Sequence, residues 1–271
     1  MAENLVKRLI YPTANLSETK LRAMFADRWV VITGASRGIG EALTCRLLDA
    51  HANLFLIARS EERLQALCNK AREAGCEASY CAMDLRDREK LDELCENLKR
   101  TLPRVDYLFC NAGKSIHRDI VYATDRMHDY DRTMDLNYRA HVALSMALIP
   151  KLSESKGHII YTSSVSTLYP PAPGWSAYHA SKCAANTWCE TARVELKKKN
   201  ITIQIAYMPL VHTAMSEATP SYRNLPAYTA DEAADQLLKL SMTNRFTYKP
   251  WWAHFSSPVA KLFSPIVKLF Y

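Results

Sequence analysis

Three of the chain's seven glycines, Gly34, Gly38 and Gly40, fall within seven consecutive positions. They directly follow the apolar run Trp29–Thr33, and a helical pattern begins at once behind them. Glycine is otherwise scarce: seven in 271 residues is well under the average usage of about 7%. A strand, a glycine-rich turn and a helix start, in that order, make a backbone that turns tightly and lets a ligand approach it closely. The helix N-terminus adds unpaired N–H groups and partial positive charge suited to a pyrophosphate. The spacing is GxxxGxG, and taken alone it leaves a purely structural turn as the alternative.

The rest of the chain alternates in the same way. Apolar runs of strand length recur at 29–33, 53–58, 78–83, 106–110, 158–162 and 202–207. Between them, 39–50, 60–74, 86–100, 126–149 and 177–199 carry apolar residues at helical spacing, as at Leu64, Leu67 and Ala71. Continuous apolar strands separated by helices predict βαβ units, hence an α/β fold with a single-domain, doubly wound parallel sheet (a Rossmann fold) and helices on both faces. The reading divides the chain into an extension at 1–27, a catalytic domain at 28–243 and a tail at 244–271 rich in aromatics and proline. A chain of this length with 48% hydrophobic residues has enough apolar surface for one large core.

Charge and cysteine usage narrow the class. The net charge of +7 invites a polyanion, but the only basic run is Lys197–Lys199 at a helix end, which argues against nucleic acid. The eight cysteines form no CxxC and no cluster with histidine at metal spacing, so no metal site is expected, and free thiols suit a reducing, cytoplasmic setting. Glu3, Lys7 and Arg8 interrupt any signal-peptide pattern, and no run of 18 apolar residues is present.

The second strand bears on the cofactor. A dinucleotide fold that selects NAD carries an acidic residue about 20 positions after the turn, whereas an arginine accommodates the 2′-phosphate of NADP. Here the strand ends in the neutral Ala58 followed by Arg59, and Arg37 lies within the turn beside Ser36 and Ile39. Two guanidiniums able to grip one phosphate predict NADP(H).

A second block holds Ser163-Ser164 at a strand end and Tyr178 four residues before Lys182 on one helix face. A free tyrosine titrates near pH 10, and a neighbouring cation favours its phenolate. Ser164 is placed to bind the same substrate oxygen.

Together these residues resemble the short-chain dehydrogenases/reductases over roughly 28–240. The resemblance rests on TGxxxGxG at Thr33–Gly40, Asp84-Leu85, Cys110-Asn111-Ala112-Gly113, Asn137 in Asp135-Leu-Asn-Tyr, Ser164, and YxxxK at Tyr178 and Lys182. It implies that Tyr178 acts as general acid while NADPH delivers hydride to a carbonyl. It further implies that Lys182 lowers the Tyr178 pKa and holds the nicotinamide ribose, that Ser164 orients the carbonyl, and that Asn137 holds a water leading from Lys182 to solvent. Asp84 and Leu85 would sit at the adenine and Asn111, Ala112 and Gly113 beneath the cofactor, while Pro209 and Thr213 would border the nicotinamide. A homodimer or homotetramer through the helices bearing Asn137 and Tyr178 is also implied. Two positions depart from the family pattern: Cys110 replaces an asparagine, and Leu210 stands where glycine usually follows Pro209. The string Met208-Pro-Leu-Val-His-Thr-Ala-Met215 is similar to that of a subgroup containing long-chain acyl-CoA reductases and other lipid-acting members.

Specificity should reside in 168–175 and 213–228, where Tyr169, Trp175, Met215 and Tyr222 favour a small apolar carbonyl substrate over a sugar. In the tail, Ser257-Pro258 marks a helix start, with Val259, Leu262, Phe263, Ile266 and Val267 at helical spacing beside Lys261 and Lys268, and Pro265 is expected to interrupt the helix. Such a segment suits either peripheral membrane contact or packing on a subunit or the core. Two functional alternatives stay open: reduction of an acyl thioester to an aldehyde, and a catalytically silent NADP-binding sensor or scaffold.

Overall fold

The computed structural model describes residues 7–217 and 219–267, the side chains of 265–267 excepted. Seven strands form one sheet, every neighbouring pair parallel, in the order β3-β2-β1-β4-β5-β6-β7. They are β1 Trp29–Thr33, β2 Asn53–Ala58, β3 Ala78–Ala82, β4 Tyr107–Cys110, β5 His158–Ser164, β6 Thr202–Met208 and β7 Thr247–Tyr248. The helices of at least eight residues are α1 Glu18–Phe25, α2 Gly38–Asp49, α3 Glu61–Glu73, α4 Arg88–Thr101, α5 Met127–Met134, α6 Ala140–Ser155, α7 Ser176–Leu196, α8 Ala230–Ser241 and α9 Ala253–Val267. Two apolar layers cover the sheet. One gathers Leu43, Leu47, Leu64 and Leu237 and the other Leu94, Leu98, Leu144 and Leu148, so helices lie on both faces as expected.

The central strands are largely apolar because both faces are covered: β4 is buried at every position. In the edge strand β3, by contrast, no residue is fully buried and Ser79 and Ala82 are exposed. The sheet continues past residue 243, since Thr247 and Tyr248 pair with Ile205 and Ala206. The extension is built in as well, with Leu21 and Phe25 buried in the core beside Tyr107.

The two ends hold one another. Trp251 and Trp252 donate indole N–H bonds to the carbonyls of Leu9 and Ile10. Tyr228 and Gln236 both donate to Pro12 O, at 2.9 and 2.8 Å. The tail helix differs from expectation. It starts at Ala253, led in by a turn whose Ala253 N–H bonds to Pro250 O, and Ser257 lies inside it with its hydroxyl on Ala253 O. Pro258 is exposed and supplies no N–H to the turn before it, yet the helix passes through it. The helix also continues past Pro265 to Val267. Lys268 lies outside the described residues.

Candidate active site

All six long strands run the same way, so Thr33, Ala58, Cys110, Ser164 and Met208 end at one edge of the sheet. The glycine turn is the first part of the site. Gly34 and Gly38 have φ of +70° and +56°, and a Cβ on Gly40 would collide with the Gly34 carbonyl oxygen. Glycine is required here because α2 starts almost on top of the strand end. Thr33 locks this turn to the next one: its hydroxyl donates to Phe109 O and accepts from the N–H groups of Asn111 and Ala112, each at 2.9 Å. Thr213 also reaches the turn, since a Cβ on Gly38 would lie 3.1 Å from its methyl group.

The arginines flank the turn. Arg37 and Arg59 are exposed, and neither takes part in an ion pair among the described residues. A third, Arg63, donates to Ser36 O at 3.4 Å and had no sequence signal, because only the fold brings α3 to the turn. Asp84 is occupied differently from expectation: Arg86 grips its carboxylate with two nitrogens, down to 2.5 Å, and holds its pKa below the usual carboxylate range. Leu85 is buried in the core.

Asn137 lies in a π-helical turn, Asp135–Arg139, where the Ala140 N–H reaches back five residues to Asp135 O. Its fully buried amide accepts from Lys114 N and donates to Lys114 O and to the Ser181 hydroxyl, all at 2.8–2.9 Å. Asn137 and Lys182 meet across Gly113, where a Cβ would lie 3.3 Å from Asn137 Oδ1 and 3.5 Å from Lys182 Nζ. One turn further on, the buried His141 donates from Nε2 to Ala112 O at 2.7 Å, leaving Nδ1 without a partner in the structure. Burial, reinforced by Lys182, pushes its pKa down to about 3, so it is neutral.

The α7 helix brings Tyr178 and Lys182 together on one face. Its buried residues Ala177, Ser181, Ala185, Cys189 and Ala192 follow helical spacing and press that face onto the sheet. Lys182 is buried, donates to Thr162 O at 2.8 Å and lies 4.8 Å from the Tyr161 ring centre. Burial lowers its pKa to about 7. The Tyr178 phenol is raised above its ordinary value, chiefly by desolvation, with hydrogen bonding to Ser164 acting in the other direction. The lowering expected from Lys182 is therefore absent here: the ammonium is directed to Thr162, and burial of the phenol dominates.

Ser164 continues into a network that local spacing did not reveal. Its hydroxyl lies 2.8 Å from that of Ser166, which in turn lies 3.1 Å from His179 Nε2. Above Tyr178, the Trp175 and Tyr222 rings stack 6.2 Å apart and 5° from parallel, and Trp175 meets the Tyr178 ring edge-on at 5.8 Å. The two segments assigned to substrate contact thus meet beside the phenol, Tyr222 stacking on Trp175 and Trp175 on Tyr178. The glycine missing after Pro209 does not disturb the path: Leu210 accepts from Tyr228 N–H, His212 donates to Tyr228 O, and Leu210 does not have a positive φ. Cys110 is buried and its thiol pushed up to about 12 by burial, so it serves as packing beneath the Asn111 turn.

A parallel sheet in this order, with a glycine turn after the first strand and the polar residues at its carboxyl edge, defines a Rossmann-fold protein. The short chain dehydrogenase family profile matches residues 28–224, and the chain belongs to that family. It is 38% identical over 224 residues to a fatty acyl-CoA reductase of Acinetobacter baylyi, covering 81% of this chain and 76% of the relative. A fatty acyl-CoA reductase of Mycobacterium tuberculosis is 34% identical, with 82% and 76% covered. Among solved structures, a short-chain dehydrogenase from Sphingobium yanoikuyae in complex with NADPH superposes with a TM-score of 0.76 at 26% identity, covering 90% of this chain and 95% of the other.

Proposed function

We propose that this oxidoreductase uses NADPH to reduce the carbonyl of an apolar, acyl-chain substrate. The residues present fit a dinucleotide: the turn has no room for a Cβ at Gly40, and Arg37 and Arg59 stand exposed beside it with no ion-pair partner among the described residues. On this reading Gly34, Ser36, Gly38, Ile39 and Gly40 hold the pyrophosphate, and Arg37 and Arg59 hold the 2′-phosphate. Asp84, Leu85, Asn111, Ala112, Gly113, Pro209 and Thr213 line the remainder of the cofactor groove. Bound there, NADPH supplies the hydride.

The observation that carries the reading is the grouping of Tyr178, Ser164 and Lys182 beneath the Trp175–Tyr222 stack. Ser164 donates to the substrate carbonyl oxygen and Tyr178 transfers its hydroxyl proton to that atom as negative charge develops. Lys182 and Asn137 maintain the polar path behind it, with His141 holding the Ala112 carbonyl. The aromatic roof excludes water and offers apolar surface to a hydrocarbon chain. The same reading includes a homodimer or homotetramer through α5, α6 and α7, supported by the exposed Met146 and Val194 on those helices.

The likeness to two fatty acyl-CoA reductases favours one more specific reading, in which the carbonyl belongs to an acyl thioester and the products are an aldehyde and a free thiol. A panel of long-chain ketones, aldehydes and acyl-CoAs with NADPH, followed by nicotinamide absorbance and by thiol release, tests both. Absence of thiol release from every acyl-CoA excludes the thioester reading, and NADPH binding without any turnover favours the sensor alternative.

A further inference from the structure

The α9 helix has two unlike faces. Ala253 and Ser257 are buried against the body of the protein, whereas Phe255, Val259, Leu262 and Phe263 are between 50% and 74% exposed and line the opposite side at helical spacing. Trp251, half exposed, continues this stripe just before the helix. An outward row of large apolar side chains is unusual for a surface held only against water.

The charge of this part of the sequence is one-sided. No Asp or Glu follows Asp235 anywhere in the sequence, while Lys239, Arg245, Lys249, Lys261 and Lys268 do. Arg245 and Lys261 are exposed, and Lys268 lies outside the described residues. Among the described residues no helix is long and apolar enough to cross a membrane, so the stripe is suited to lying along a surface.

We infer that α9 docks this protein onto an anionic lipid bilayer, with Phe255, Val259, Leu262 and Phe263 at the acyl boundary and the lysines among the phosphates. A second copy is a poorer occupant: a self-complementary contact would set two copies of this helix, which carries Lys261 and no Asp or Glu, against one another. Docking also faces the substrate side of the molecule toward lipid. The Tyr169 hydroxyl lies 2.5 Å from that of Ser256, and the Tyr169 and Trp252 rings are 6.5 Å apart, so α9 rests on the segment that follows Ser164. The inference goes beyond the proposed reaction and does not depend on it.

The test is co-sedimentation of the full chain with vesicles of phosphatidylcholine alone and of phosphatidylcholine mixed with phosphatidylglycerol, at low and high salt. Binding should be confined to the mixed vesicles and weaken with salt. A Leu262→Ser/Phe263→Ser variant should lose at least about tenfold in affinity. Lys261→Gln should lose about fivefold. Melting temperature checks that each variant is folded. For the unmodified chain, brominated lipid in the mixed vesicles should quench tryptophan emission, which keeps the test valid if the double variant does not fold. Wild-type protein left in the supernatant, equal binding to both vesicle types, or a change of oligomer size in the double variant with vesicle binding intact would overturn it.

Discussion

Lys182 donates a 2.8 Å hydrogen bond to the main-chain carbonyl of Thr162, away from the phenol of Tyr178 one turn earlier. Burial makes the ammonium costly, and its pKa falls to about 7. Because the folded-state value lies below the unfolded one near 10.4, the unfolded chain binds more protons between these limits, and stability must rise with pH across them. Comparing chemical denaturation of wild type and Lys182→Met from pH 7 to 9 should show an extra slope in the wild type approaching about 1.4 kcal/mol per pH unit. Parallel curves would show that the lysine is not desolvated.

His141 predicts the opposite end of the pH range. Neutral in the fold with its pKa pushed down to about 3, it resists a proton that the unfolded chain accepts near pH 6.5. Stability should therefore fall as pH drops from 6.5 toward 3. His141→Gln keeps a donor for Ala112 O and cannot titrate, so its thermal denaturation should lose this part of the acid sensitivity while retaining its melting point near neutrality.

The unpaired guanidiniums make cofactor choice testable. Arg59→Ala should weaken NADPH binding about tenfold or more, in keeping with loss of a charge-assisted bond to phosphate, and leave NADH within about twofold. Fluorescence titration with both nucleotides measures it, and equal losses for the two would reject the 2′-phosphate assignment.

The parallel rings of Trp175 and Tyr222 form a roof that belongs to two separate loops. Tyr222→Ala should raise KM for long-chain substrates by about two- to tenfold, the range of one aromatic pair, with less effect on short-chain ones. A uniform change in kcat across chain lengths would argue that the ring positions Tyr178 instead of the substrate.

Much of this architecture was legible because its signals are local. β1 and β2 occupy the residues expected of them, and Tyr178 and Lys182 share a face because four residues make about one helical turn. β7 escaped notice since two residues, Thr247 and Tyr248, carry no periodicity. The contacts of Thr33 with Asn111, of His141 with Ala112 and of Arg63 with Ser36 join elements far apart in the chain, which spacing does not encode. The same applies to Tyr178: its pKa direction depends on burial and on where Lys182 points, and both are tertiary facts.

The central claim is that Tyr178 gives the proton that accompanies hydride transfer to the carbonyl. Steady-state kinetics of Tyr178→Phe with NADPH and an acyl-chain carbonyl substrate address it directly, with NADPH affinity measured in parallel. The account predicts a fall in kcat of about a hundredfold or more, with NADPH binding within a few fold of wild type. Turnover by Tyr178→Phe equal to that of the wild type would contradict it.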